Sequence, residues 1–78
     1  MNIEKIRHLC KTEHFVPFTV HLPDGRAVAV EHPDFVAFAP SGRLISVYHA
    51  DDSESIIDVM LVSDITLRTK GRRASGKK

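Results

Sequence analysis

The sequence has little cysteine and no long apolar run, and each absence excludes a class of protein. Cys10 is the only cysteine among 78 residues, so neither an intramolecular disulfide nor a cysteine zinc site can form. A lone thiol fits the reducing cytoplasm, which is the location we expect. No stretch approaches 18 consecutive apolar residues, so we expect no membrane span. The first residues include Glu4 and lack the apolar region of a secretory signal.

Charge is unevenly distributed along the chain. Residues 1–69 hold six basic and ten acidic groups, a net of −4, which argues against a nucleic-acid surface on this part. Five positive charges follow in residues 70–78: Lys70, Arg72, Arg73, Lys77 and Lys78. That stretch has no large apolar residue, so we predict one domain over residues 1–69 and a basic disordered tail over 70–78. The tail is either an arm for RNA, DNA or another polyanion, or a solubilising terminus.

Two copies of one turn signal organise the chain. They are Leu22-Pro23-Asp24-Gly25-Arg26 and Ala39-Pro40-Ser41-Gly42-Arg43. Proline presets the first corner of a type I turn, and glycine takes the left-handed conformation that follows it. This combination is typical of a three-residue hairpin loop, so the sequence predicts a meander of antiparallel strands.

Periodicity predicts the elements around these turns. Ile3, Ile6, Leu9 and Cys10 recur at helical spacing after Asn2, a good N-cap, and indicate a helix over residues 3–12. Alternation of apolar and polar residues predicts strands at 17–22, 26–31, 35–39, 43–49, 55–60 and 65–69. We expect a bend at 32–34, where a proline cannot donate to a ladder, and a short helical turn at 61–64.

The first loop also predicts a strand register. The expected pairs are Leu22 with Arg26, Val20 with Val28, and Phe18 with Val30. These pairs place the large apolar side chains on one face and small or polar ones on the other. The third strand is apolar on both faces, so we expect the helix to help cover it. The predicted fold is mainly β, with the helix followed by sequentially paired antiparallel strands that close into a small, strongly bent barrel.

Four segments carry a resemblance: Pro17-Phe18, the Leu22–Arg26 turn, His32-Pro33-Asp34-Phe35-Val36-Ala37 and Pro40-Ser41-Gly42-Arg43. Together they resemble a group of short uncharacterised bacterial proteins. The order of helix, bent strands, short turn and last strand is similar to the Sm-like and SH3-like small barrels. Sm-like proteins form rings that bind RNA, but their signature in the last two strands is absent where Ser63-Asp64-Ile65-Thr66 stands. The resemblance therefore implies an architecture and no RNA-contacting residue.

Histidine and aspartate give the best metal-ligand patterns, at His32-x-Asp34 and His49-x-Asp51-Asp52. A metal site needs three or four converging groups, and neither pattern supplies them. We interpret these residues as exposed histidines beside turn-forming aspartates, and we predict no metal site.

Candidates for other chemistry are equally sparse. Cys10 lies on the apolar stripe of the helix, where burial would raise its pKa and disfavour the thiolate nucleophile. Arg26 and Arg43 end the two turns, where they could hold a phosphate or carboxylate or simply begin solvated strands. We predict no catalytic residue, no cofactor site and no enzymatic activity.

Apolar residues occupy both alternation phases of the third to fifth strands. They are Phe35, Val36, Phe38, Leu44, Ile45, Val47, Ile56, Ile57, Val59 and Met60. One small barrel has one inner face, so part of this set should form an exposed patch of the kind that marks interfaces. We therefore predict a noncatalytic assembly or adaptor module that forms a homo-oligomer. The alternative is an Sm-like nucleic-acid binder that uses the basic tail.

Overall fold

The computed structural model describes residues 1–68, so the predicted tail at 70–78 lies outside the described residues, as does residue 69 of the predicted domain. One helix, α1 (Ile3–Lys11), precedes the strands. The strands are β1 (Phe18–His21), β2 (Ala27–Val30), β3 (Val36–Phe38), β4 (Leu44–Tyr48), β5 (Glu54–Asp58) and β6 (Asp64–Leu67). Short 3₁₀ turns at Pro33–Phe35 and Val59–Leu61 precede β3 and β6.

Helix α1 begins where the sequence predicts. The Glu4 N–H donates to Asn2 Oδ1 at 2.7 Å, so the Asn2 side chain caps the first turn. The helix ends at Lys11, one residue before the predicted end. Ile6 and Cys10 are its buried residues, so the apolar stripe faces the core.

The strands form two three-stranded antiparallel sheets. The first sheet has the order β2-β1-β6 and the second has the order β3-β4-β5. The prediction of a mainly β fold with an N-terminal helix is thus confirmed, but the prediction of purely sequential pairing is wrong. β6 returns to the free edge of β1, where Ile65 lies opposite Val20 and continues the apolar row that Val28 begins on the other side.

The first hairpin has the predicted register. Val20 lies opposite Val28 and Phe18 lies opposite Val30, and the Leu22 N–H donates to the Arg26 carbonyl at 3.0 Å. Gly25 has φ +93°, so the loop uses the left-handed conformation that glycine takes without strain. Turn chemistry and side-chain alternation therefore specify the same pairing.

The second hairpin is one residue longer than predicted. Gly42 is left-handed as expected, with φ +76°, but the Ala39 N–H donates to the carbonyl of Leu44. The loop therefore spans residues 40–43, and Phe38 lies opposite Ile45. The Arg43 carbonyl accepts instead from the Val59 N–H at 2.7 Å. This one-residue difference turns Ile45 inward and Leu44 outward.

Two further expectations for this half of the chain need correction. The predicted bend at 32–34 is a 3₁₀ turn, but β3 is not covered on both faces, because Ala37 is exposed. The helix reaches the other face, where the Arg7 guanidinium lies 4.8 Å from the centre of the Phe38 ring. The second 3₁₀ turn begins at Val59, two residues before the predicted one, and so ends β5 at Asp58.

Both sheets and the helix share one core. Its buried members are Ile6, Cys10, Phe18, Val20, Leu22, Val28, Val30, Ile45, Val47, Ile57, Val59 and Val62. The strands of the β1–β2 and β4–β5 hairpins send alternate residues into this core, so the opposite side of each sheet faces outward.

Candidate interaction surface

The outward side of the second sheet carries three large apolar side chains. Leu44 is 40% exposed, Tyr48 46% and Ile56 61%, whereas the neighbouring Ile45 and Ile57 are buried. We call Leu44, Tyr48 and Ile56 the apolar face. Soluble proteins expose single apolar residues commonly, but a contiguous apolar patch usually marks an interaction site.

Strand register holds these side chains together. Ile56 lies directly opposite Ser46 in the β4–β5 ladder, so Leu44 and Tyr48 are its two diagonal neighbours on the same side. Ala37 lies opposite Ser46 on the other flank and is also exposed. Small residues at these positions leave the three large side chains raised above the sheet.

One end of the apolar face is fixed by an arginine and an aspartate. Arg43 Nη2 donates to Asp58 Oδ2 at 3.2 Å, and Asp58 lies opposite Leu44 in the ladder. Asp58 Oδ1 also accepts from the Met60 N–H at 3.0 Å, which caps the 3₁₀ turn after β5. These contacts hold the long loop at 40–43 against the start of that turn.

The other end is acidic. Asp51, Asp52 and Glu54 lie at or beside the β4–β5 turn, and Asp34 lies in the 3₁₀ turn before β3. Because β3 begins beside the last residues of β4, the register places these four carboxylates at the same end of the sheet, which we call the acidic end. Hydrogen bonds from the side chain and backbone of Ser53 hold the pKa of Asp51 below its ordinary value.

The β4–β5 turn repeats the geometry of the first hairpin without glycine. The His49 N–H donates to the Ser53 carbonyl at 2.9 Å, and Asp52 has φ +72°. Aspartate tolerates the left-handed region better than most residues but carries some strain there. The β4–β5 turn is therefore a three-residue loop with its left-handed position at Asp52.

A second apolar feature lies between α1 and β6. It is a groove of about 360 Å³ lined by Met1, Lys5, Leu9, Ser63, Asp64, Ile65 and Leu67. Sequence patterns do not predict this groove, because it depends on the pairing of β6 with β1. Its walls come from two elements, α1 and the segment around β6, and most of its lining is apolar.

The histidine–aspartate patterns form turns. His32 Nδ1 accepts from the Asp34 N–H at 3.1 Å, so the histidine ring caps the 3₁₀ turn and the Asp34 carboxylate is exposed. In this turn the side chain that binds the backbone is therefore that of the histidine and not that of the predicted turn-forming aspartate. His49 is half-buried, and its Nε2 lies 2.8 Å from Ser55 Oγ. Within residues 1–68, no three His, Cys, Asp or Glu side chains converge as metal ligands.

The other candidate residues also have local partners. Cys10 is buried, and its burial raises the pKa of the thiol, as predicted. Arg26 Nε lies 3.0 Å from Asp24 Oδ2 in the first hairpin, while Arg43 bonds Asp58 in the second sheet. The two arginines therefore hold separate carboxylates and do not form a shared anion site. No helix within the described part of the chain is long and apolar enough to cross a membrane.

These features define a small, mainly β protein with an N-terminal helix and two antiparallel three-stranded sheets. No family model matches the sequence, and no curated protein matches it. A solved X-ray structure, a target of the Northeast Structural Genomics Consortium, is similar to the chain with a TM-score of 0.55. The match covers 73% of this chain and 98% of that one at 16% identity, so the likeness extends to the fold alone.

Proposed function

We propose that this protein is a noncatalytic assembly module that self-associates through the apolar face of its second sheet. The observation that carries the proposal is the cluster of Leu44, Tyr48 and Ile56 on one outward side, at 40%, 46% and 61% exposure. An exposed cluster of this kind loses unfavourable contact with water when a second apolar surface covers it. The lone buried thiol of Cys10 is consistent with a cytoplasmic location.

The size of the face predicts a weak complex. Three strands spaced about 4.8 Å apart, of which β4 and β5 are five residues long, give a patch on the order of 15 by 15 Å. Such a patch lies below the usual size of stable interfaces, so we expect dissociation constants in the micromolar range or weaker. Association of this strength is sensitive to single side chains and to charge.

A small barrel of the Sm-like or SH3-like type is the finer architecture that we propose. It is supported by the return of β6 to β1 and by the 3₁₀ turn between β5 and β6. It is also supported by the single core that both sheets share. Function does not follow from such an architecture, so the assignment rests on the exposed face.

The chain supplies its own probe for the test. Tyr48 is the only tyrosine and tryptophan is absent, so intrinsic fluorescence reports directly on the apolar face. We expect the molar mass from light scattering to rise above 8.7 kDa over a micromolar to millimolar range of concentration. Over the same range, quenching of Tyr48 by acrylamide should decrease, because the partner covers the ring.

Matched variants localise the contact. Leu44→Ser and Ile56→Ser should each reduce association about ten-fold or more, since each removes apolar area from a small interface. Leu67→Ser makes the same chemical change at a leucine with 49% exposure on β6 and should leave association unchanged. Loss of association in Leu67→Ser alone would place the interface at the groove beside β6 and overturn the assignment to the apolar face.

A monomeric protein at every concentration would contradict the proposal. Association that appears only after RNA is added, and that weakens steeply with salt, would instead favour the nucleic-acid alternative. The net charge of −4 over residues 1–69 weighs against that alternative.

A further inference from the structure

All of the net charge of the described residues lies in the segment that forms the second sheet and its turns. Residues 33–58 contain five acids and a single base, Arg43, for a net charge of −4. The remaining described residues, 1–32 and 59–68, contain five acids and five bases and are balanced. The half of the molecule that carries the apolar face is therefore also the charged half.

The acids of the second sheet are mostly without basic partners. Asp58 bonds Arg43, but at the acidic end no lysine or arginine of residues 1–68 lies within 4.0 Å of Asp34, Asp51, Asp52 or Glu54. The balanced part differs, since its ion pairs join Arg7 to Glu4, Arg26 to Asp24 and Arg68 to Glu31. Two apolar faces that approach each other thus bring together two surfaces of the same sign, which opposes pairing.

The chain leaves the described region close to the acidic end. Arg68 Nη2 donates to Glu31 Oε2 at 2.9 Å, and its N–H donates to the Pro17 carbonyl. Glu31 precedes Asp34 by only three residues. Residues 69–78 follow with five positive charges, and ten residues can span at most about 33–36 Å. The three residues from Glu31 to Asp34 span at most about 11 Å, so a segment of ten residues is long enough to reach Asp34 at the acidic end of the same chain.

We propose that a second copy covers the apolar face, and that residues 69–78 set the affinity of this pairing by offsetting the net charge of −4 on each second sheet. The inference rests on the proposed self-association and adds its electrostatic control. Five positive charges against four negative ones leave each pairing surface nearly neutral. Residues 69–78 contribute no large apolar side chain, so their role is the charge balance and not the contact area.

The test uses full-length proteins and sedimentation equilibrium in 0.05 M and 1 M NaCl. The first variant replaces Lys70, Arg72, Arg73, Lys77 and Lys78 with glutamine. We expect its dimer to be roughly ten-fold weaker than that of the parent at low salt, where repulsion between the sheets is unscreened. At 1 M NaCl the Debye length is about 3 Å, so the two proteins should associate equally.

Two controls separate this effect from others. Lys5→Gln with Lys11→Gln removes positive charge from α1, which belongs to the balanced half, and should change low-salt affinity by less than about two-fold. Asp52→Asn with Glu54→Gln, added to the glutamine variant, should restore most of its lost association. All variants should keep the melting temperature of the parent within a few degrees, because the changed residues are exposed or outside the core.

The outcomes are distinct. If the parent associates and the glutamine variant associates equally or more tightly at low salt, this inference is wrong while the proposed function stands. If the parent is monomeric in both salts, both are wrong. If nuclease treatment of the parent abolishes its association, the basic residues act on nucleic acid, and the charge balance proposed between copies is wrong.

Discussion

The two sheets are built alike on their inner sides and differ on their outer sides. Each hairpin sends valine, isoleucine or phenylalanine inward at alternate positions. The outward side of the first sheet carries small or polar residues: Thr19, His21, Ala27, Ala29, Asp64 and Thr66. His21 Nε2 and Thr66 Oγ1 lie 2.9 Å apart there, so neighbouring polar groups are joined. The outward side of the second sheet carries Leu44, Tyr48 and Ile56 instead.

This difference shows how the outer side of a sheet affects both its sequence pattern and its need for a partner. A polar outer side gives a clear alternation of apolar and polar residues along each strand. The outer side of such a sheet is stable in contact with water. Apolar residues on both sides, as in Leu44-Ile45 and Ile56-Ile57, obscure the alternation and leave apolar surface uncovered. The ambiguity of the sequence pattern and the presence of the candidate interface thus have one cause.

The largest expected effect comes from adjacent isoleucines on β5. Ile57→Ala removes a fully buried side chain and should destabilise the fold by about 2–5 kcal/mol. Ile56→Ala changes an outward residue of the same type and should change the free energy of unfolding by less than about 0.5 kcal/mol. Urea titration of dilute protein measures both. Similar losses for the two variants would mean that the apolar face is covered within one chain.

The glycine of each proline-containing turn should be costly to replace. Gly25→Ala and Gly42→Ala should each destabilise by about 1 kcal/mol or somewhat more, because a Cβ is strained at positive φ. Space is not the cause, since a Cβ at Gly25 meets no atom within 4 Å and one at Gly42 meets Ile3 Cγ2 at 3.8 Å. A neutral result at Gly42 alone, by thermal denaturation, would contradict the longer loop of the second sheet.

In the β4–β5 turn, a substitution to glycine is expected to increase stability. Asp52→Gly should stabilise the fold by up to about 1 kcal/mol, because glycine adopts φ +72° without strain. The gain is limited because glycine also raises the conformational entropy of the unfolded chain. Asp52→Val serves as the control and should destabilise it, since a β-branched residue is poorly tolerated at positive φ. Destabilisation by glycine would show that the Asp52 side chain contributes contacts that outweigh the strain.

The smallest effect is a pH dependence carried by one aspartate in a hairpin loop of each sheet. Hydrogen bonds from the backbone and side chain of Arg26 lower the pKa of Asp24, as those of Ser53 lower that of Asp51, from an ordinary value of 3.8. An aspartate whose pKa is lower in the folded state than in the unfolded state stabilises the fold at pH values above its unfolded pKa. This contribution disappears as pH falls through the folded pKa. Asp24→Asn and Asp51→Asn should therefore lower the melting temperature slightly near neutral pH and not below about pH 3. A constant difference across this range would mean that geometry, not ionisation, provides the contribution.

Local chemistry alone was enough for the helix and the first hairpin. Asn2 caps the helix through a neighbouring N–H, and Gly25 forms the turn that aligns Val20 with Val28. These interactions join residues a few positions apart, so they can be predicted from the local sequence. The surplus of apolar residues in the second sheet was also visible, and with it the expectation of an exposed patch. The same reasoning reached the burial of Cys10, which follows from the helical stripe, and the raised pKa of its thiol.

Contacts between distant segments decided the rest. The second loop contains Arg43 because the Val59 N–H binds its carbonyl and Asp58 binds its side chain, and that extra residue selects Leu44 for the outer side. The return of β6 to β1 joins segments more than 40 residues apart and creates the groove beside α1. Short-range propensity carries no information on such pairings, since their free energy arises only when the remote strand is in place. The sequence therefore determined how many apolar residues lie in the second sheet, and the tertiary structure determined which of them remain exposed.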